Sequence, residues 1–176
     1  MAPDRTTSAY ADAIFTVTVI EGNTPRVEDE LFRVARALEG SDELQRALAD
    51  PQVPAARRQQ IVEDLLGAAA DTTTVAIISL LVGVGRSNEI PAIIDAFVQR
   101  AAHESGREVA MVRAAVELTE DQQQRLAEAL SSNLGRDVTV KVIVDPSVLG
   151  GVVTQIGDTV IDGSIRHRLN QLREAF

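Results

Sequence analysis

Along the first hundred residues apolar positions return every three or four residues, and in parts of the remainder they return every second residue. The first spacing is that of one face of a helix, the second that of one face of a strand. Tyr10, Ile14 and Val17 stand at i, i+4 and i+7, and Ala11, Phe15 and Val19 form a second row beside them, so the first predicted helix is apolar over a wide arc. Gly22 and Pro25 end it. Val27, Leu31, Val34 and Leu38 mark a second helix, closed at Gly40. Ser41 is placed to cap a short third one. A fourth starts at a proline and sets Ile61, Val62, Leu65 and Leu66 on one face. From Val75 to Val84 only Ser79 and Gly83 are not clearly apolar, and a helix apolar nearly all round is buried on all sides or needs a partner. Ile90, Ile93, Ile94, Phe97 and Val98 define a sixth helix, which stops at Gly106.

Beyond Gly106 the period changes. "REVAMVRAAVEL" reads as a strand. Thr119, with Glu120, Asp121 and Gln122 behind it, opens a helix that Gly135 closes. In "DVTVKVIVDP" Val138, Val140, Val142 and Val144 alternate with Thr139, Lys141 and Ile143, which is a strand pattern. "GGVVTQIGDTVID" predicts two short strands around a Gly157-Asp158 turn. Ile165, Leu169, Leu172 and Phe176 give a final helix. The expectation is an α+β chain: an all-α six-helix N-terminal bundle over 1–105, then a small α/β C-terminal domain with a short mixed sheet over 106–176.

Composition narrows this picture. Apolar residues make up 45% of the 176, but aromatics only 3% and Trp is absent, so the core must be aliphatic. The net charge is −9. Residues 1–105 hold 9 Arg and 16 Asp/Glu, or −7, whereas 106–176 hold 8 Lys/Arg and 10 Asp/Glu, or −2. An acidic first half argues against a nucleic-acid surface, which needs cations against phosphate, and against adsorption on anionic lipid. A helical-bundle RNA-binding protein is the alternative that this charge disfavours. With no cysteine, disulfides, thiolate metal sites and cysteine nucleophiles are excluded. No apolar run reaches membrane-spanning length, and the first fifteen residues lack a signal-peptide pattern, so a cytoplasmic location is expected.

Catalytic chemistry finds little support. The two histidines, His103 and His167, each lie on a predicted helix with no second histidine at ligand spacing. Phosphate-binding and nucleophile-elbow motifs are missing, and the Gly-x-Gly of "LVGVGRSN" falls at a helix end, where glycine acts as a stop. The densest stretch is "GGVVTQIGDTVIDGSIRHRLNQL", Gly150–Leu172. Its glycines suit a hairpin, Gly157 supplying a positive φ, and Asp162 or Ser164 suits a helix cap. Two other readings of it stay open. Glycine, helix amides and arginine together could form an anion site. Asp158, Asp162, Arg166 and His167 could line an enzyme site.

The same stretch resembles the C-terminal signature of the delta subunit of bacterial F-type ATP synthase, the counterpart of the mitochondrial oligomycin-sensitivity-conferring protein. The matching positions are Gly150, Gly151, Gly157, Asp158, Val160, Ile161, Asp162, Gly163, Ser164, Ile165, Arg166, Arg168 and Leu169. "AYADAIF", Ala9–Phe15, is similar to the family's first-helix start, and "LLVGVGRSNEIPAIIDAF" to its fifth-to-sixth helix passage. Val84 stands where the family commonly has Asn before Gly-Arg.

The resemblance implies a non-catalytic stator subunit, with no cofactor and no metal, present once per complex at the cytoplasmic face of the membrane and not inserted in it. It implies that the N-terminal domain receives the amphipathic N-terminal segment of an alpha subunit, and that the C-terminal domain engages the b subunits of the peripheral stalk. The segment is expected against the first and fifth helices, on Tyr10, Ala13, Ile14, Leu80 and Leu81. The C-terminal signature residues are expected to be structural and on the stalk side.

Overall fold

The computed structural model describes residues 5–148, 150–157 and 159–163. The architecture is α+β, and the chain divides into two compact units, Met1–Ala101 and Ala102–Phe176. The first unit contains helices α1 (Arg5–Glu21), α2 (Thr24–Glu39), α3 (Asp42–Ala49), α4 (Ala55–Leu66) and α5 (Thr72–Gly83), a single 3-10 turn at Ser87–Glu89, and most of α6 (Ile90–Glu104). The division falls inside α6 and not at Gly106. Two backbone hydrogen bonds close the end of α6: the Ala102 carbonyl accepts from the Arg107 amide and the His103 carbonyl from the Gly106 amide.

The helix starts obey local chemistry. Ser41 accepts from the Leu44 amide at the head of α3, and Asp71 accepts from the Thr73 amide at the head of α5, each satisfying a donor that the first turn leaves unpaired. The core is aliphatic, as so few aromatics require. Val27, Leu31 and Ala35 of α2, Ile78, Leu81 and Val82 of α5, and Ile90, Ile93, Ile94, Phe97 and Val98 of α6 are all buried.

Several polar groups enter this core with partners, although Asn23 Oδ1, Arg36 Nε, Arg58 Nε and Ser79 Oγ are buried without a hydrogen bond among the described residues. Glu30 of α2 accepts from the Asp71 amide and the Thr74 hydroxyl, both at 2.7 Å, and pairs with Arg26 at 2.9 Å. Burial opposes the charge on Glu30. The hydrogen bonds from Asp71, Thr74 and Arg26 outweigh it and hold the carboxyl below the usual glutamate range. Buried Arg58 of α4 and Ser87 both donate to the Leu48 carbonyl near the end of α3, at 3.2 and 2.7 Å.

One predicted face is only partly right. Val62 is buried and Ile61 and Leu66 half-buried, but Leu65 of α4 is exposed and Arg58 turns inward. The cause is the α4–α5 contact. The Gln59 amide donates to the Ser79 carbonyl at 3.0 Å, and a Cβ at Gly83 would lie 2.6 Å from that same amide nitrogen. This close approach sets the rotation of α4 about its axis.

The second unit contains β1 (Glu108–Ala114), α7 (Glu120–Leu134), β2 (Val138–Val144), β3 (Val152–Ile156) and β4 (Thr159–Asp162). The sheet order is β2-β1-β3-β4. β1 and β2 are parallel, with Ala110 opposite Val140, as the crossover through α7 demands. β3 runs antiparallel to β1, with Ala110 opposite Ile156, and β4 returns antiparallel to β3. The mixed sheet has its core on one face, where Ala110, Val112, Val138 and Ile156 meet Leu118, Leu126, Leu130, Val140 and Val152. Val144 shares the alternation of Val138 but not its burial, because it lies exposed at the end of an outer strand.

α7 begins with a full capping box: the Thr119 hydroxyl accepts from the Gln122 amide, and the Gln122 side chain accepts from the Thr119 amide. It ends on Gly135 at φ 66°, a left-handed position that favours glycine. Gly157 joins β3 to β4 at φ 55°. The predicted final helix, with Ile165, Leu169, Leu172 and Phe176, lies outside the described residues, as do Asp158, Ser164, Arg166, His167, Arg168 and Arg173.

Candidate partner-binding surface

Two contacts orient α1 against α5. Past the end of α1, the Asn23 side chain donates to Asp71 Oδ1 at 3.2 Å and to Thr73 Oγ1 at 2.9 Å, both at the head of α5. Near the start of α1, Tyr10 lies beside Arg86, just past the end of α5. Arg86 is held charged above the ordinary guanidinium value, mainly by its hydrogen bond to Glu89, with Tyr10 adding to the effect. The two helices therefore run antiparallel, side by side.

Helical periodicity then says which residues flank the seam between them. The buried stripe of α1 is Thr7, Ala11, Ile14 and Thr18. On one side of it, Phe15 lies under Arg100 and Asp12 pairs with Arg100 of α6. The other side carries Tyr10, Ala13, Val17 and Ile20. The buried stripe of α5 is Thr74, Ile77, Ile78, Leu81 and Val82. Ser79 and Gly83 face Gln59 of α4, and Thr73, which Asn23 reaches, marks the opposite side, with Ala76, Leu80 and Val84. Tyr10 is half-buried, Ala13, Val17, Ala76, Leu80 and Val84 are exposed, and Ile20 is 77% exposed. The result is an apolar strip about 15 Å long, taking ten residues of α1 at the helical rise. Chemically it offers aliphatic area, one phenol and no titratable pair, which suits packing and not turnover.

The C-terminal signature builds a different feature. Gly150 and Gly151 take φ 65° and 80° on the way into β3. The Gly163 amide donates to the Val152 carbonyl at 3.0 Å, closing the far end of the hairpin. Asp162 is exposed at the end of β4. Among the described residues no three His, Cys, Asp or Glu side chains cluster so as to hold a metal, and no helix is long and apolar enough to cross a membrane.

A family model described as the ATP synthase delta (OSCP) subunit matches residues 6–176. The chain belongs to this family. It is 40% identical over 162 residues to an ATP synthase subunit delta of Nocardia farcinica, covering 92% of this chain and 60% of that protein. It is 41% identical over 147 residues to the subunit delta of Streptomyces avermitilis, covering 84% and 54%. The chain thus spans little more than half the length of these relatives. Among solved structures, a chain in the Toxoplasma gondii mitochondrial ATP synthase hexamer shares the fold, with a TM-score of 0.64 at 22% identity over 98% of this chain and 97% of that one.

In this delta-family chain the five residues singled out for partner binding divide. Tyr10, Ala13 and Leu80 come together on the strip. Ile14, 6% exposed, and Leu81, 1% exposed, point into the core and offer nothing to a partner. Apolarity alone could not place either one, because α1 is apolar over a wide arc and α5 nearly all round. Val17, Ile20, Ala76 and Val84 are not among the five. The usable signal is Thr7 and Thr18, small polar residues in register with Ala11 and Ile14, whose hydroxyls can be satisfied inside. Thr18 donates to the Phe15 carbonyl and accepts from Thr24.

Proposed function

We propose that this protein is a non-catalytic stator subunit of an F-type ATP synthase, joining the catalytic head to the peripheral stalk so that the head is held against rotor torque. The helical unit, read as a six-helix bundle over 1–105, takes the amphipathic N-terminal segment of one alpha subunit. The sheet-containing unit, over 106–176, engages the b subunits. One copy serves each complex, at the cytoplasmic face of the membrane and without insertion.

The observation that carries this reading is the α1/α5 strip. Monomeric proteins seldom leave an uninterrupted apolar strip in water unless something docks there, and a strip of this width suits the apolar face of one helix. The charge of −7 over 1–105 favours a basic partner segment over nucleic acid. On the stalk side, β4 is a four-residue outer strand with Val160 and Ile161 exposed, and the hairpin leading to it carries the family signature.

The test is calorimetric titration of the chain with a peptide of the same organism's alpha-subunit N-terminus. One-to-one binding is expected, weakened at least about tenfold by Tyr10→Asp, since an acid placed in an apolar contact costs more than about 1.4 kcal/mol. Unchanged affinity in the variant would move the contact away from the strip. No binding at high micromolar peptide would sink the head-contact half of the proposal.

A further inference from the structure

The two edges of the sheet in the second unit are unlike. β4 is four residues long, and just past its end the Gly163 amide closes on the Val152 carbonyl. β2 is seven residues long, six of them β-branched, with no proline. Its register against β1 runs through seven consecutive pairs without a bulge. Lys141 is its only charge, with Asp137 and Asp145 just beyond its ends. Natural sheets blunt an open edge by a short strand, a proline, a bulge or several charges, because unpaired backbone groups there template another strand.

Hydrogen-bond parity says which groups are open. The Glu108 amide donates to the Asp137 carbonyl, and the Asp145 amide to the Ala114 carbonyl, both at 2.8 Å. In a parallel ladder these two bonds commit the odd-numbered residues of β2 to β1. Val138, Val140, Val142 and Val144 therefore turn their amides and carbonyls away from β1. The chain answers the first of these itself: the Val138 amide donates to Ser131 Oγ of α7 at 3.0 Å. Among the described residues nothing takes up the amides of Val140, Val142 and Val144. They stand about 6.6 Å apart, two residues at the strand rise, which is the repeat of a second strand. The core is open along the same line. Val140 and Val142 are half-buried and Val144 exposed, although they share a face with buried Val138, and Leu126 and Leu130 of α7 are only partly buried against that core.

We propose that the β2 edge takes an extended segment of a partner protein as a further strand, with apolar side chains on the α7 side and a carboxylate between them beside Lys141. Backbone bonds to Val140, Val142 and Val144 hold the segment. Its apolar side chains finish the cover over the valine row, and Lys141 sets the sign of the residue opposite. A second copy of this chain suits the edge less well. Two molecules of net charge −9 repel each other, and two β2 strands paired over their full length set Lys141 against Lys141. The edge belongs to the sheet-containing unit and owes nothing to the α1/α5 strip.

The probe is a short blocked peptide with valine at alternate positions, glutamate at its centre and threonine elsewhere. It is titrated into the full chain and followed by amide hydrogen exchange. With peptide bound, Val140, Val142 and Val144 should exchange at least about tenfold more slowly, while Thr139 and Ile143, already bonded to β1, change little. Methylating alternate peptide nitrogens gives two further probes, one blocked toward β2 and one toward solvent. Only one of them should lose binding, and loss in both or in neither overturns strand pairing. Val142→Pro removes an outward amide and no bond to β1. It should weaken the peptide at least about tenfold with the unfolding midpoint little moved, and equal affinity overturns the proposal. The methylated probes decide the matter if that variant does not fold. Lys141→Glu should weaken the glutamate-centred peptide and strengthen a lysine-centred one, and indifference to the exchange would sink the carboxylate. A dimer of the chain alone in sedimentation, abolished by Val142→Pro, would make a second copy the occupant in place of a partner. No binding at millimolar peptide overturns the edge as a site.

Discussion

Leu80 and Leu81 are neighbours on α5, yet the first is 56% exposed and the second 1%. The same division runs along the α1/α5 pair: Ile14, Ile77 and Leu81 look inward, while Val17, Ile20, Leu80 and Val84 look out. Residue type does not separate the two faces. The inner one belongs to the bundle's own stability, and the outer one is surface the bundle can do without. An apolar residue is a core residue only by its place on the helix, and a helix apolar all round can serve a fold and a partner together.

The widest separation between the faces is expected in stability. Leu81→Ala should lower the unfolding free energy by about 2–5 kcal/mol, through lost burial and a residual cavity. Leu80→Ala should stay within about 0.5 kcal/mol, as exposed substitutions do. Denaturant unfolding of both variants checks the pair, and equal losses would erase the distinction.

Next comes the polar link beneath the inner face. Glu30→Ala leaves the Asp71 amide and the buried Thr74 hydroxyl without their acceptor, and is expected to cost about 1–3 kcal/mol. The same carboxylate sets a pH dependence. Its pKa is lower in the folded chain than in the unfolded one, so the unfolded chain takes up the proton first as pH falls. The stability it contributes is present above the ordinary glutamate range and is lost as pH drops through its depressed folded value. Unfolding free energies measured at descending pH should therefore fall less steeply for Glu30→Gln than for the parent chain.

The smallest effect is expected away from both faces. Thr119→Ala removes one half of the α7 capping box and should cost about 1 kcal/mol. Binding of the alpha-subunit peptide should be unchanged, since α7 belongs to the other unit. A binding loss there would mean that the two units do not work separately.

Much was determined by the sequence alone. Helix starts at Ser41 and Thr119, the stop at Gly135 and the β3–β4 turn at Gly157 are local events, each settled by a side chain or a φ angle within a few residues. The strand in "DVTVKVIV" and the helical spacing of the first hundred residues needed nothing beyond their own period. The signature from Gly150 onward also carried the family, because its spacing is specific. Rotation of each helix about its axis was a tertiary decision. α4 turns Leu65 outward because Gln59 closes on Gly83. α1 turns Thr18 inward, where its hydroxyl donates to the Phe15 carbonyl and accepts from Thr24, and Thr7 and Ile14 lie buried on the same face. α5 exposes Leu80 and buries Leu81 because α4 and α1 flank it on opposite sides. The physical reason is that hydrophobic burial is non-directional: it fixes how much apolar surface must leave water, and only the packing of neighbours fixes which side of an all-apolar helix goes in.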